Sequence, residues 1–327
     1  MNAYKDSAYT ASMLLIHDAR EFPSSARGGV LCVGNFDGVH AGHARMLQEG
    51  RRIASETNRP FVIMTFDPHP MSVLKPSLPR PPLMTLEQRI EALSVFGPAV
   101  LWMVQTNREF LAISVEEFLQ KIVHDLLNAV HVVEGPSFTF GRGAAGDVEM
   151  LRKAGAQLGW QTTVVQTAQA TLQDMTLVDV SSTLVRWLIS QGRVADAVQM
   201  LGRPYTLRAC VIHGAKRGHE LGYPTINLDI TQLVSCDGVY AGRAVIDGSD
   251  YPAAISVGTN PTFDGSARTV EAFLLNYQGD ELYGRTVDLE FHLWIRDQER
   301  FSGAEALREQ IGRDVEFVRD FDGLKTA

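Results

Sequence analysis

The feature that most constrains this chain is a change of rhythm near residue 200. Before it, short apolar runs alternate with amphipathic stretches; after Gly202-Arg203-Pro204, apolar runs follow one another closely, punctuated by Gly, Pro and Asp. The first pattern predicts a parallel sheet flanked by helices, because parallel strands need long crossovers. The second predicts a small barrel. Val30–Val33, Phe61–Thr65, Ala99–Val104, Ala129–Val133 and Gln161–Val165 read as sheet strands. Within Gly42–Glu56, Met46, Leu47, Ile53 and Ala54 fall on one helical stripe. Thr85 with Gln88, and Ser114 with Glu117, have capping-box spacing ahead of further helices. Ser182–Ser190 and Val194–Leu201 read as helices. Thr206–Ile212, Val239–Ile246, Ala253–Val257, Val270–Asn276 and Val287–Trp294 read as barrel strands, closed by a helix over Ala304–Val318. The expected organisation is one module over 1–190, a linker over 191–204 and a second module over 205–327.

Charge narrows the partners. Lys and Arg number 30 against 38 Asp and Glu, a net charge of −8. That speaks against an extended nucleic-acid footprint, which normally shows as a basic surplus. It leaves room for a nucleotide, which needs only a few local donors. No apolar run is long enough to span a membrane, and the first residues lack a signal pattern, so no membrane partner is expected. Cys32, Cys210 and Cys236 are too scattered for a metal or disulfide framework, and the cytoplasm is the expected compartment. Nothing in the sequence distinguishes a monomer from a homo-oligomer.

Chemistry concentrates first in Gly34-Asn35-Phe36-Asp37-Gly38-Val39-His40-Ala41-Gly42-His43, which runs from a strand end into a helix start. A helix N-terminus offers unpaired N–H groups and partial positive charge to a phosphate. Glycines let backbone approach it closely. His40 and His43 can face the same phosphate and stabilise charge building on it during nucleotidyl transfer. The Walker and dinucleotide glycine patterns are both absent. A plain glycine turn with two incidental histidines is the other reading. Val180-Ser181-Ser182-Thr183-Leu184-Val185-Arg186 opens a second helix with clustered hydroxyls, and Arg186 can fork onto phosphate oxygens. An ordinary N-cap followed by a surface arginine fits it equally. Phe66 and Pro68 in one strand-end loop, and Phe138 and Phe140 in another, offer rings for stacking or simply for packing.

The second constellation is His213 to Leu228. Gly214, Lys216, Gly218 and Gly222 form a basic, glycine-rich loop suited to polyphosphate, and the stretch ends in a strand. Thr225 and Asn227 would then share a face. Their hard oxygen donors suit Mg²⁺ held together with substrate phosphates, although an ordinary turn and edge strand would look the same. Glu271 sits in an apolar run beside Phe273 and Leu275, placed either as a general base toward an alcohol or as an exposed strand carboxylate.

Taken in order, these motifs resemble the bacterial bifunctional riboflavin kinase/FAD synthetase family over about Val30 to Phe317. Gly34–His43, Thr65–Pro70, Gly135–Gly141 (in part) and Ser181–Arg186 match its N-terminal module. Gly218–Asn227, Gly238–Ala241, Gly258–Phe263, Glu271 and Leu282–Gly284 match its C-terminal one. The resemblance implies an α/β nucleotidyltransferase module, Rossmann-like, followed by a small flavokinase β-barrel with a C-terminal helix. It implies that the barrel phosphorylates riboflavin to FMN with MgATP, with Thr225 and Asn227 on the metal and Glu271 as base. It further implies that the first module transfers AMP from ATP to FMN, giving FAD and pyrophosphate. His40 and His43 would then stabilise the α-phosphate, and Ser182, Thr183 and Arg186 would hold phosphates. Ser137 stands where the family usually has Asp or Asn. Asp179 stands where a basic residue is common, and Ile226 replaces an alanine. A kinase whose first module is inactive or takes another phosphorylated acceptor, and a non-catalytic flavin or nucleotide sensor, are the alternative expectations.

Overall fold

The computed structural model describes residues 13–214, 221–259 and 268–324. Lys216 and Gly218, and the motif positions after Thr259 as far as Phe263, lie outside the described residues. Two compact units result: 1–80 with 86–169, and 81–85 with 170–327. Packing thus cuts the chain earlier than the expected linker at 191–204 and assigns residues 81–85 to the second unit.

Unit 1 carries six parallel strands: β1 (Leu14–Ile16), β2 (Val30–Val33), β3 (Phe61–Asp67), β4 (Val100–Gln105), β5 (His131–Glu134) and β6 (Gln161–Val164). Their order is β1-β4-β3-β2-β5-β6. The order reverses beside β2, since the chain steps outward through β3 and β4 and then returns to β5 on the other side. In such sheets the crevice outside the strand ends at the reversal is where ligands bind. Helix α1 (Ala41–Glu56) leaves β2 through the Gly34–His43 turn and buries Met46, Leu47, Ile53 and Ala54, the stripe read from the sequence. Helices α2 (Leu86–Ser94) and α3 (Val148–Leu158) also belong to this unit.

The Ser114–Glu117 capping box is present with both reciprocal bonds, but only Val115–Glu117 winds as α-helix. Phe118–Leu126 continues as a π-helix. Hydrogen bonds reaching one residue further back widen the turn, and Phe118, Leu119 and Val123 still enter the core.

Unit 2 is a closed antiparallel barrel of β7 (Tyr205–Ile212), β8 (Thr225–Asp229), β9 (Gly238–Ile246), β10 (Ser249–Thr259), β11 (Arg268–Leu274) and β12 (Thr286–Arg296), ordered β7-β8-β11-β10-β9-β12. Strict alternation along β7 buries Tyr205, Leu207, Ala209 and Val211. Closure removes both sheet edges. Helices α4 (Ser182–Ser190) and α5 (Val194–Leu201) pack with this unit. Ser235 Oγ, buried, donates to the Ile189 carbonyl at 2.8 Å. Helix α6 (Ala304–Asp320) covers one outer face through Val315 and Val318, against Ala241 and Leu275.

Candidate active sites

In unit 1 the turn after β2 lies at the sheet's reversal point. Its backbone is strained: Phe36, Gly38 and Val39 have φ of 48°, 90° and 37°. Positive φ costs a β-branched residue such as Val39 roughly 1–3 kcal/mol, so surrounding contacts must hold it. Phe36 and Val39 are fully buried, and Asp37 is 5% exposed. From α2, Arg89 reaches in, donating from Nη1 to the Asn35 carbonyl (3.3 Å) and from Nη2 to Asp67 (3.1 Å). Thr65 Oγ1 donates to the same Asn35 carbonyl at 3.2 Å.

His40 is the N-cap of α1, and its Nδ1 accepts from the His43 amide at 3.3 Å. The proton of a neutral His40 therefore sits on Nε2. The two imidazoles stack with centroids 3.7 Å apart and planes at 15°, and Phe36 meets His43 edge-on. Burial first, and the adjacent His40 second, hold His43 well below the usual imidazole range. Asn35 Oδ1 and His43 Nδ1 are buried with no hydrogen-bond partner among the described residues. Beside a helix N-terminus that carries no acidic residue in its first turn, a protonated His43 Nδ1 can donate to an anionic ligand, whereas Asn35 Oδ1 accepts only and needs a donor group on the ligand. Gly34 and Gly42 flank them on the strand side and in the first turn.

The aromatic candidates separate. Phe140 is buried in the core, stacked with Phe138 at 5.5 Å and packed on Phe118. Phe138 and Phe66 are half-buried, Pro68 is exposed, and Ser137 is exposed beside Phe138. Of Phe138 and Phe140, Phe138 is the one that keeps partial exposure.

Ser181 caps α4, accepting from the Leu184 amide at 3.2 Å, so the N-cap reading of that motif is realised. Ser182 is half-buried, and Thr183 and Asp179 are exposed. Arg186 Nη1 donates to the Pro81 carbonyl at 2.6 Å. All of these residues lie in unit 2.

The second site is on the outer face of the barrel. Asn227 is directly opposite Glu271, and Thr225 opposite Phe273. Thr225 Oγ1 donates to Glu271 Oε2 at 3.3 Å. Ile226 faces the other way, opposite Ala272 in the barrel interior, so its bulk leaves the polar face clear. Gly214 adjoins Asn227 so closely that a Cβ there would stand 2.1 Å from its amide nitrogen. Gly222 makes an exposed turn with φ 83°. Thr225 and Glu271 line a cavity of about 500 Å³ roofed by α6 residues Leu307 and Ile311. At its wall, Arg296 forks onto Asp314 (3.0 and 2.7 Å), which also accepts from Gln310.

No cluster of three or more His, Cys, Asp or Glu able to hold a metal occurs among the described residues. A hydroxyl and an amide oxygen on one strand face, beside a carboxylate, fit a cation that takes most of its ligands from phosphates and water.

Sequence reasoning missed Arg89 and Glu134. Glu134 is buried at the end of β5, and its Oε1 accepts from the Val33 amide at 2.7 Å.

A strained phosphate-type turn on a parallel sheet, joined in one chain to a closed barrel with a hard-oxygen face, defines a two-site protein suited to phosphorylated ligands. The FAD synthetase family model matches residues 22–183, and the riboflavin kinase model residues 201–321. The chain belongs to the bifunctional riboflavin kinase/FMN adenylyltransferase family. It is 32% identical over 312 residues to the member from Escherichia coli strain K12, covering 94% of this chain and 97% of that one. With the Bacillus subtilis member it shares 32% identity over 303 residues, covering 90% and 93%. A solved structure described as a macrolide-efflux protein from Streptococcus pneumoniae matches with TM-score 0.83 and 27% identity, over 95% of this chain and 100% of that one. Among the described residues no helix is long and apolar enough to cross a membrane.

Proposed function

We propose that this chain converts riboflavin to FAD in two steps, each at its own site. In the barrel, the ribityl 5′-oxygen of riboflavin forms a bond to the γ-phosphorus of ATP as the bond to the β-phosphate oxygen breaks, giving FMN and ADP. Glu271 accepts the hydroxyl proton. Thr225 and Asn227 would hold Mg²⁺, which when bound neutralises charge on the phosphates. Gly214 and Gly222 let the loop backbone approach the polyphosphate. The cavity under α6 takes the flavin ring, with Phe273 and Tyr223 as its aromatic wall.

In unit 1, an FMN phosphate oxygen attacks the α-phosphorus of a second ATP, releasing pyrophosphate and forming FAD. His40 and His43, with the amides of the first turn of α1, stabilise the charge on the α-phosphate. Asn35, Phe36, Asp37 and Gly38 shape the turn around it. Phe66, Pro68 and Phe138 offer apolar contacts to the flavin; in unit 2, Ser181, Ser182, Thr183 and Arg186 form a separate helix start suited to phosphate. Both reactions use small soluble substrates, and the cytoplasm is where we place them.

The convergence of Thr225, Asn227 and Glu271 on one outer face of the barrel, with Thr225 and Glu271 lining the cavity, carries this reading. Incubation with riboflavin, ATP and Mg²⁺, and separately with FMN, ATP and Mg²⁺, tests it by chromatography of products. We expect riboflavin to end as FAD. Accumulation of FMN with no FAD from either incubation would leave the kinase alone; neither FMN nor FAD from riboflavin would sink the barrel assignment.

A further inference from the structure

At the end of β5 a carboxyl group is buried where the first-unit mechanism has no use for a carboxylate. Glu134 is 1% exposed. The β2–β5 pairing runs to Cys32 opposite Val133. One residue beyond, the Val33 amide donates to Glu134 Oε1 at 2.7 Å. Gly34, next in the chain, is tied to the opposite neighbour, its amide donating to the Met64 carbonyl at 3.0 Å. Asn35 follows, its carbonyl held by Thr65 and Arg89. Three consecutive residues at the reversal point are thus fixed from both sides, and the β5 side depends on one side chain. Beyond them come the positive-φ residues Phe36, Gly38 and Val39 and then His40. A turn with that much strain keeps its shape only while its stem is over-determined.

We propose that Glu134 is a positioning residue for adenylyl transfer: by accepting the Val33 amide it fixes the stem of the phosphate turn and so sets where His40 and the first turn of α1 stand. The role needs an acceptor oxygen at this place and no negative charge. Burial supports that division, since it pushes the Glu134 carboxyl well above its usual range, and the neighbouring Cys32 thiol is likewise held in its neutral form. A neutral carboxyl and a carboxamide then offer the Val33 amide the same oxygen.

The inference rests on the assignment of adenylyl transfer to unit 1, and the test separates the two. Glu134→Gln keeps the acceptor; Glu134→Met keeps the approximate volume and removes it. With FMN and ATP, Glu134→Met is expected to lose about tenfold or more in kcat for FAD formation, because a buried amide loses its partner and the turn shifts. Glu134→Gln should stay within about threefold of the parent on the same grounds. Riboflavin phosphorylation by the same preparations should not change and serves as the internal control. Hydrogen exchange at the Val33 amide should be slow in the parent and in Glu134→Gln, and fast in Glu134→Met. A Glu134→Met protein with parental kcat overturns the proposal. So does a Glu134→Gln protein that loses activity, and this second criterion stands even if Glu134→Met does not fold. Should the parent itself make no FAD, the functional assignment fails, and exchange at Val33 alone decides whether Glu134 holds the stem.

Discussion

Protonating His43 in the folded protein costs free energy that the unfolded chain does not incur, because burial and the stacked His40 oppose the charge. Its folded pKa therefore lies below the unfolded value of 6.5. Between the two values the unfolded state binds more protons. The stability held above that range is lost as pH falls below about 6.5. Thermal unfolding followed across pH 5 to 8 should show the midpoint dropping on the acid side, and His43→Asn should flatten part of that drop. An unchanged profile would mean that His43 is protonated freely in the fold. Glu271→Gln should cut FMN formation by about 10²–10⁴-fold, the usual worth of a general base, with riboflavin binding by fluorescence quenching retained; unchanged turnover would refute the base assignment. The histidines, Thr225 and Asn227 are legible as candidates in the sequence because each sits in a short local pattern, whereas Glu271 gains its candidate role from the family resemblance. Arg89 and Glu134 are not legible, because their partners are remote: Arg89 acts on a residue 54 positions away and Glu134 on one 101 away. Nothing local marks either.

Elements with strong periodicity, such as α1 and β7, were legible almost to their ends, because one buried face repeats along them. Strand β1 was not: three residues at the sheet edge, only one of them buried, leave no period to read. The π-winding after Glu117 was also hidden, since its buried residues satisfy an α-helical pattern as well. Helix α6 illustrates how packing and site depend on one contact. Its Asp314 is buried, accepts the Arg296 fork and lines the cavity beneath the helix. Asp314→Ala leaves a mostly buried guanidinium without its carboxylate, which costs about 3–5 kcal/mol. We expect a lower melting temperature for the barrel and a raised KM for riboflavin, with FAD formation from FMN retained. Parental values of both would show that α6 is held by its apolar face alone.

On the scale of the molecule, family resemblance and packing divide the chain at different places. The FAD synthetase match runs to residue 183, whereas residues from 170 onward pack with the barrel. Sequence shows where a motif set ends; burial shows which surfaces need each other. Val194, Ala197 and Met200 of α5 are fully buried, so a fragment beginning at 205 exposes what they cover. A 170–327 fragment should melt higher, or stay soluble where 205–327 aggregates, and equal melting would mean that α4 and α5 are dispensable to the barrel. Residues 81–85 add a constraint of timing. They belong to unit 2 yet are synthesised in the middle of unit 1. The Pro81 carbonyl meets its donor Arg186 only 105 residues later, and Leu83 meets Gln232 after 149. At about 5–20 residues per second, Pro81 and Leu83 wait roughly 5–30 s on the ribosome before Arg186 and Gln232 exist. The nascent sheet must therefore close around an insertion whose bonds to Arg186 and Gln232 are still to be made, and slowing or speeding translation between codons 86 and 232 changes how long that interval lasts.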